Sequence, residues 1–378
     1  MAMKFGRKNE INLNPLAYNL AIIGESGIGK TTVVKEYVEK LAGEDGYMFL
    51  EIGKEDGADA IDGIQYLSCP EWDQEYDEET NSIGFNTFID DVVENRMTDW
   101  KDLKVVVIDT YDELFAIAEP EVIAMHNRDN PTKRVKSIKA AFGGFMAGED
   151  KAIEIVLDRL WALKKVGISF IVIGHTKMRN MTDPTTGEDY MQLTTNMSQR
   201  YFNAMKTKVH FLGVASIDRE IVKEKTGKKN IVTGQEVKKG VVKGETRKIT
   251  FRDDNFVIDS KSRFADIVES IPLNSDALIK AITDAIAIEQ KKSGVSASDL
   301  EKAQRKKEEE RLAKMKAQEE EKKILDDAMN RIMAFVAENK QDIQKLMPML
   351  EQCQAMGYAN PKEITNSKDA LAILAMIE

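Results

Sequence analysis

Cysteine is almost missing from this 378-residue chain, where Cys69 and Cys353 are the only two. Two thiols so far apart supply neither a disulfide framework nor a zinc cluster, and they suit a reducing cytoplasm. Long apolar runs are missing too. No stretch approaches the roughly 18 consecutive apolar residues that span a bilayer, and residues 1–14 are polar, without the hydrophobic segment or cleavage site of a secretion signal. A soluble, cytoplasmic protein with no membrane partner is expected. No unit of about 20 to 50 residues repeats, and no helix-turn-helix or zinc-finger spacing occurs, so sequence-specific reading of duplex DNA is not expected. Aromatics are sparse at 7%, yet the hydrophobic fraction of 42% and the charged fraction of 31% are those of a globular chain. The length suffices for about two domains.

Charge is present but unevenly spread. The net charge of -10 argues against nucleic acid only if it is uniform. Residues 71–99 hold ten acids against Arg96 alone, residues 223–248 hold nine bases against three acids, and residues 128–139 hold five bases against one acid.

Residues 19–23 read as a short buried strand entering a Gly-rich turn, and residues 31–41 have the apolar spacing of a helix. Further apolar strands are expected at 47–52, 103–108 and 168–173, the last preceded by a helical pattern over 152–166. Strands alternating with helices predict an α/β fold with a mainly parallel sheet covered on both faces. Beyond His210 come short alternating segments at 209–216, 231–242, 247–251 and 255–258, separated by Thr226-Gly227-Lys228, Lys239-Gly240 and Asp253-Asp254-Asn255, which predicts β-hairpins. In residues 301–323, sixteen of 23 are charged, with i,i+4 pairs such as Glu310/Lys314. A solvated helix is expected there, with a dimeric coiled coil as the alternative. The division is then a lead over 1–18, a core over 19–270 with a basic hairpin region at 217–258, a helix and linker over 271–297, a charged helix over 298–325 and a small helical domain over 326–378.

Gly24-Glu25-Ser26-Gly27-Ile28-Gly29-Lys30-Thr31 matches G-x-x-x-x-G-K-[ST], with a strand before it and a helix after it. In such a P-loop the glycines let backbone N–H groups curl around a β-phosphate, Lys30 reaches the β/γ oxygens and the Thr31 hydroxyl ligates Mg²⁺. Thr32 completes the nucleotide-binding run, and ATP with Mg²⁺ is the expected ligand. Asp109 closes a buried strand as the matching carboxylate for the metal, with a turn-forming role as the alternative. Asp112 and Glu113 follow it and read equally well as helix N-caps. Glu55, in the loop over 51–57, is the candidate to organise the attacking water, with Glu113 or a plain solvated loop as alternatives. His175 ends the strand at 171–173 where a γ-phosphate can be sensed, against the reading of a structural histidine.

These residues resemble the RecA/DnaB-like branch of P-loop ATPases, in which a strand between the P-loop strand and the Asp strand carries a Gln or His that feels the γ-phosphate. More narrowly, the pattern is similar to phage nucleotide-binding proteins of the reduced-recombinase, single-strand-annealing type. It carries Glu55-Asp56-Gly57, Asp109-Thr110, Phe142-Gly143-Gly144 and Lys261-Ser262-Arg263. The resemblance covers residues 15–270 and implies a RecA-like ATPase core with a β-hairpin extension and a helical C-terminal tail. It implies that Lys261 and Arg263 act on a neighbour's γ-phosphate, so that the active form is a homo-oligomer, ring or filament; a surface charge pair is the alternative. It also implies single-stranded DNA at two loops. The chain has Arg128, Lys133, Arg134, Lys136 and Lys139 in the first, and Lys177 and Arg179 with Tyr190 for base stacking in the second. The implied function is a Mg²⁺-dependent ATPase of phage-type recombination or replication, annealing strands or loading partners in the host cytoplasm. Its tail is expected to contact a single-strand-binding protein or another replication or recombination factor. A DnaB-like translocating helicase and a nucleotide-gated scaffold are the alternatives. The acidic insert near 71–79, the basic hairpins and the charged tail depart from a compact version of that family.

Overall fold

The structure, a computed structural model, describes residues 9–229, 236–253 and 257–377. The start of the expected lead, the first residues of the expected strand at 231–242 and the first residues of the expected strand at 255–258 lie outside them. The elements begin with β1 (Leu20–Gly24), α1 (Lys30–Ala42), β2 (Tyr47–Ile52), β3 (Tyr66–Cys69) and α2 (Phe85–Glu94). They continue with β4 (Val105–Asp109), α3 (Tyr111–Asp129), α4 (Ala147–Lys165), β5 (Ser169–Thr182), β6 (Asp189–Thr195) and α5 (Gln199–Lys206). Then come β7 (Phe211–Lys229), β8 (Glu236–Thr250), β9 (Lys261–Ser262), β10 (Ser270–Pro272), α6 (Ser275–Ser293), α7 (Ala297–Glu338), α8 (Ile343–Ala355) and α9 (Ser367–Ile377). Two compact units result, Met1–Leu300 and Glu301–Glu378.

The first unit is built on one sheet with the order β10-β8-β7-β1-β5-β4-β2-β3, with β6 added to β5 and β9 to β7. The run β7-β1-β5-β4-β2-β3 is parallel throughout. This is the expected RecA-like α/β arrangement, with β5 lying between the P-loop strand β1 and the Asp strand β4. Every residue of β1 and β4 is buried, because parallel strands joined by crossover helices are covered on both faces. Leu20, Ile22, Val105, Val107, Ile171 and Ile173 point to one face and pack with Val34, Tyr37 and Val38 of α1 and Leu278, Ile282 and Ile286 of α6. On the other face α3 and α4 pack against each other and against β5.

Several expectations change. The acidic stretch at 71–99 contains α2, whose Phe85, Phe88, Ile89 and Val92 are buried at the i, i+3, i+4, i+7 spacing of a core-facing helix. Its acids occupy the outer side, where Asp90 pairs with Arg159 and Asp91 accepts from the Trp100 indole at 2.7 Å. Of the segments expected as short hairpins, 209–216, the described part of 231–242 and 247–251 fall largely in one long antiparallel pair, β7 with β8, in which Gly240 sits opposite Lys223, while Ile258 bridges to Leu193 of β6. A register shift after Lys225 absorbs Thr226-Gly227-Lys228, and a second shift follows Glu220. A second hairpin, β5 with β6, stands where only a loop was expected. Ile271 and Pro272, expected at the start of the helix, are strand and pair with β8, and one 42-residue helix runs unbroken through position 325.

In the second unit Ala328, Ile332, Met349, Cys353, Ile364, Ala370, Ile373 and Leu374 form a separate small core.

Gly213, the third residue of β7, pairs with Ile22. A Cβ there would lie 2.6 Å from Ile249 Cγ2 and 2.9 Å from Ile22 Cδ1, two buried side chains with little room to yield. Gly213→Ala is therefore expected to cost about 1 to 3 kcal/mol through overpacking. Urea unfolding checks this, and an unchanged midpoint would contradict it.

Candidate nucleotide site

Three parallel strands end beside the point where β5 leaves the parallel sheet. Gly24 pairs with His175, Asp109 with Ile173, and Glu51 with Asp109, so the ends of β1, β4 and β2 and the His175 position of β5 share one edge. In open α/β sheets this carboxyl edge is where ligands bind. Gly24 pairs on its other side with Ala215 of β7, and a Cβ at Gly24 would lie 2.8 Å from that of Ala215. The loop then turns through Gly27 and Gly29, with φ of +73 and +106. Those values suit glycine alone without strain.

Lys30 opens α1, is buried, and donates to the carbonyls of Gly24 (3.1 Å) and Glu25 (3.0 Å). Burial lowers its pKa, while Asp109, Asp112 and Glu55 act to raise it. The next residue, Thr31, donates its hydroxyl to Asp109 Oδ2 at 2.7 Å. Asp109 is 8% exposed. Burial pushes its carboxyl up to about 6, opposed by the Thr31 bond and the Lys30 charge and reinforced by Glu55 and Glu51. Among the described residues no group of three or more His, Cys, Asp or Glu side chains forms a metal cage. One hydroxyl and one carboxylate in contact nevertheless fit Mg²⁺, which takes few protein oxygens and completes its shell with water and phosphate.

The two glutamates after β2 separate in role. Glu51 is buried and accepts from the backbone N–H of Gly57 (2.7 Å) and Ala58 (2.6 Å), so it holds the loop in shape. Burial raises its pKa, with those two bonds opposing. Glu55 is half-buried, accepts from the Thr110 hydroxyl at 3.3 Å, and acts electrostatically on Lys30, Asp109 and His175. Glu113 lies over Gly53, where a Cβ would sit 2.7 Å from Glu113 Oε2.

His175 is gripped by Asp112. Its backbone N–H donates to Asp112 Oδ1 at 3.1 Å, and its Nδ1 lies 2.6 Å from Oδ2. Asp112 raises the imidazole pKa through that bond, burial opposes it, and Lys30 and Glu55 act in opposite directions. Asp112 is thus no N-cap: Thr110 holds that position and Asp112 lies within the first turn of α3. Arg247 of β8 was also not anticipated, and its Nη1 donates to the Ile28 carbonyl of the P-loop at 3.1 Å. Its only sequence signal was a place in a basic run.

The remaining candidates lie elsewhere. Lys261 opens β9 and Arg263 follows it, and β9 pairs with Phe211 and Leu212 at the beginning of β7. Since Phe211 pairs with Leu20 and Ala215 with Gly24, the pair sits near the amino edge of the sheet, about 13 Å of strand from its own P-loop. Lys261 donates to the Lys206 carbonyl and Arg263 Nη2 to the Thr207 carbonyl at 2.7 Å, at the C-terminal end of α5. Lys133, Arg134, Lys136 and Lys139 are all exposed on the connection between α3 and α4. Asn127 pins that connection by two bonds to the Val135 backbone. Lys177 is exposed on the β5/β6 hairpin. The register that pairs Met181 with Tyr190 puts Lys177, Arg179 and Tyr190 on one face. Arg179 is not a free cation there, because it donates to the carbonyls of Thr195 and Met197.

The profile of a family described as an AAA domain matches residues 16–264. That is more than half of the chain, and the chain belongs to this family of P-loop ATPase domains. A distant likeness of fold extends to the crystal structure of a KaiC-like protein from the hyperthermophilic archaeon Pyrococcus horikoshii. The two are 12% identical, the match covers 68% of this chain and 85% of that one, and the TM-score is 0.34. No curated protein matches the chain.

A carboxyl whose pKa is raised on folding is more easily protonated in the native state, so its cost appears as pH rises from about 4 and is complete above about 6. Asp109→Asn removes that cost and is expected to stabilise the fold by about 1 to 3 kcal/mol near pH 8, with little gain near pH 4. Thermal unfolding at the two pH values checks this; equal gains at both would mean that the Asp109 charge is not the cause.

Proposed function

We propose that the protein is a Mg²⁺-dependent ATPase that assembles on single-stranded DNA, of the phage annealing or partner-loading type, working in a reducing cytoplasm. The observation that carries the reading is the Thr31–Asp109 contact at the mouth of the P-loop, with Lys30 and Glu55 around it. Lys30 binds the β- and γ-phosphates, Glu55 orients the attacking water, and His175 meets the γ-phosphate. Thr31 and Asp109 would hold Mg²⁺, which neutralises charge developing on the phosphate oxygens.

Assembly is supported by a charge imbalance. Glu55, Asp109 and Asp112 stand around Lys30, too little positive charge for a transferring phosphoryl group. Lys261 and Arg263 of a neighbouring subunit would supply more. DNA binding is supported by the exposed cations on the connection between α3 and α4 and by Lys177 on the β5/β6 hairpin, which continues β5 past the carboxyl edge. α4 descends to the first residue of β5, so its N-terminus starts near that edge, and there Asp150 pairs with Arg200 at the start of α5. The unit Glu301–Glu378 is the proposed contact for a single-strand-binding protein or another replication or recombination factor.

Single-stranded DNA is expected to stimulate ATP turnover and to bind with a steep salt dependence. Combined charge reversal at Lys133, Arg134 and Lys136 should flatten the log–log salt slope by about 2, at about 0.7 per phosphate contact. Binding that is flat in salt, or absent with ATP and Mg²⁺, would favour a nucleotide-gated scaffold. ATP-driven duplex unwinding would favour a translocating helicase.

Lys30→Ala and Arg263→Ala are each expected to lose most turnover, the first with weakened ATP binding and the second with near-normal binding. Mixed, they should recover part of the activity, because one variant keeps a sound P-loop and the other a sound Arg263. A mixture that co-assembles yet stays inactive would reduce Arg263 to its bond with Thr207.

A further inference from the structure

We propose that Asp112 is a positioning residue of the hydrolytic site, clamping His175 at two points so that its free Nε2 faces the γ-phosphate end of the P-loop. This rests on the reading of the site as an ATPase. The clamp has three parts. Asp112 holds both the backbone N–H and Nδ1 of His175. Gly174 lets the carboxylate come close, because a Cβ there would lie 2.9 Å from Asp112 Oδ1 and 3.2 Å from Ile23 Cγ2. The pairing of His175 with Gly24 fixes the clamped residue beside the first glycine of the P-loop.

A carboxylate can only accept, so Nδ1 carries the proton of that bond and Nε2 is left on the opposite edge of the ring. The side chains are 13% exposed at Asp112 and 22% at His175, so water competes little for the bond. The charged groups acting on the imidazole are Asp112 from α3, Lys30 from α1 and Glu55 from the loop after β2. Fastening α3 to β5 alone would need only the backbone bond. The second bond, to Nδ1, controls ring orientation and proton placement.

Asp112→Asn keeps the size of the side chain and an oxygen for the backbone N–H, but can offer an amide N–H where the carboxylate accepted from Nδ1. In the full-length protein it is expected to leave the melting temperature and ATP binding nearly unchanged while lowering kcat about 10-fold to 100-fold. The alkaline limb of the kcat–pH profile should move to lower pH, since the anion that favours the imidazolium is gone. Gly174→Ala, which pushes the carboxylate away, should lower kcat in the same way. In a His175→Gln background, which has no imidazole to orient, Asp112→Asn should change kcat less than about twofold.

Equal losses from Asp112→Asn in both backgrounds, or an unchanged kcat and pH profile in the parent, would overturn the proposal. So would a loss that merely tracks lowered thermal stability. If the unaltered protein binds ATP but never hydrolyses it, the ATPase reading itself fails and the inference falls with it. Turnover that is normal and indifferent to Asp112 overturns the inference alone.

Discussion

The parallel pairing of β1 with β5 is the constraint on which the site depends. It sets Gly24 level with His175, and the continuing register through β4 and β2 brings Asp109 and Glu51 to the same edge. Because these strands are buried on both faces, polar side chains fit only where the strands end. A one-residue slip between β1 and β5 would move His175 away from Gly24 and send Asp112's partner into the sheet. Hydrophobic packing of Ile22, Val107, Ile171 and Ile173 against α1 and α6 therefore holds the geometry of the nucleotide site as well as the fold.

Within that frame, environment decides what each charge can do. Lys30 and Asp109 are both buried, and burial pushes both toward neutrality. Lys30 is kept in place by two carbonyls and Asp109 by one hydroxyl, partners that a phosphate and a cation can replace. Glu51 and Glu55 show the same principle within one loop. Two backbone N–H groups occupy Glu51, whereas Glu55 has one long bond from a hydroxyl and remains available to the site.

What could be read from the sequence follows from how local each signal is. The P-loop, Asp109 and the strands β1, β2 and β4 are contiguous patterns, and the structure has them at the expected positions within a residue or two, as it has the start of β5. The link between Asp112 and His175 joins positions 63 residues apart, and nothing in the local pattern separates Asp112 from a helix N-cap. Arg247 was hidden among other bases because its significance comes from β8 lying two strands from β1. The β5/β6 hairpin was missed because β5 changes character partway, from a buried run ending at Gly174 to a mostly exposed ribbon beyond His175. A window that expects one periodicity stops at that change. The acidic charge around α2 likewise masked a helix whose buried face is only four residues.

The two ends of the sheet differ in charge, and that difference bears on assembly. Carboxylates gather around Lys30 at the carboxyl edge, while Lys261 and Arg263 stand near the amino edge on the C-terminal carbonyls of α5. Arg263 is exposed, and its guanidinium has five N–H donors of which the Thr207 bond uses one. Capping α5 and reaching a phosphate are therefore compatible roles for Arg263. Lys261 is half-buried, with its pKa lowered by burial and by Arg263 and Lys206, so Arg263 is the better suited of the two to act across an interface. On the proposed reading, a subunit with a cation at one end and an anion-rich nucleotide site at the other associates head to tail. Such a heterologous contact closes into a ring or runs on as a filament according to the rotation between subunits. That rotation belongs to the whole interface, so the chemistry of the site is the same in either form.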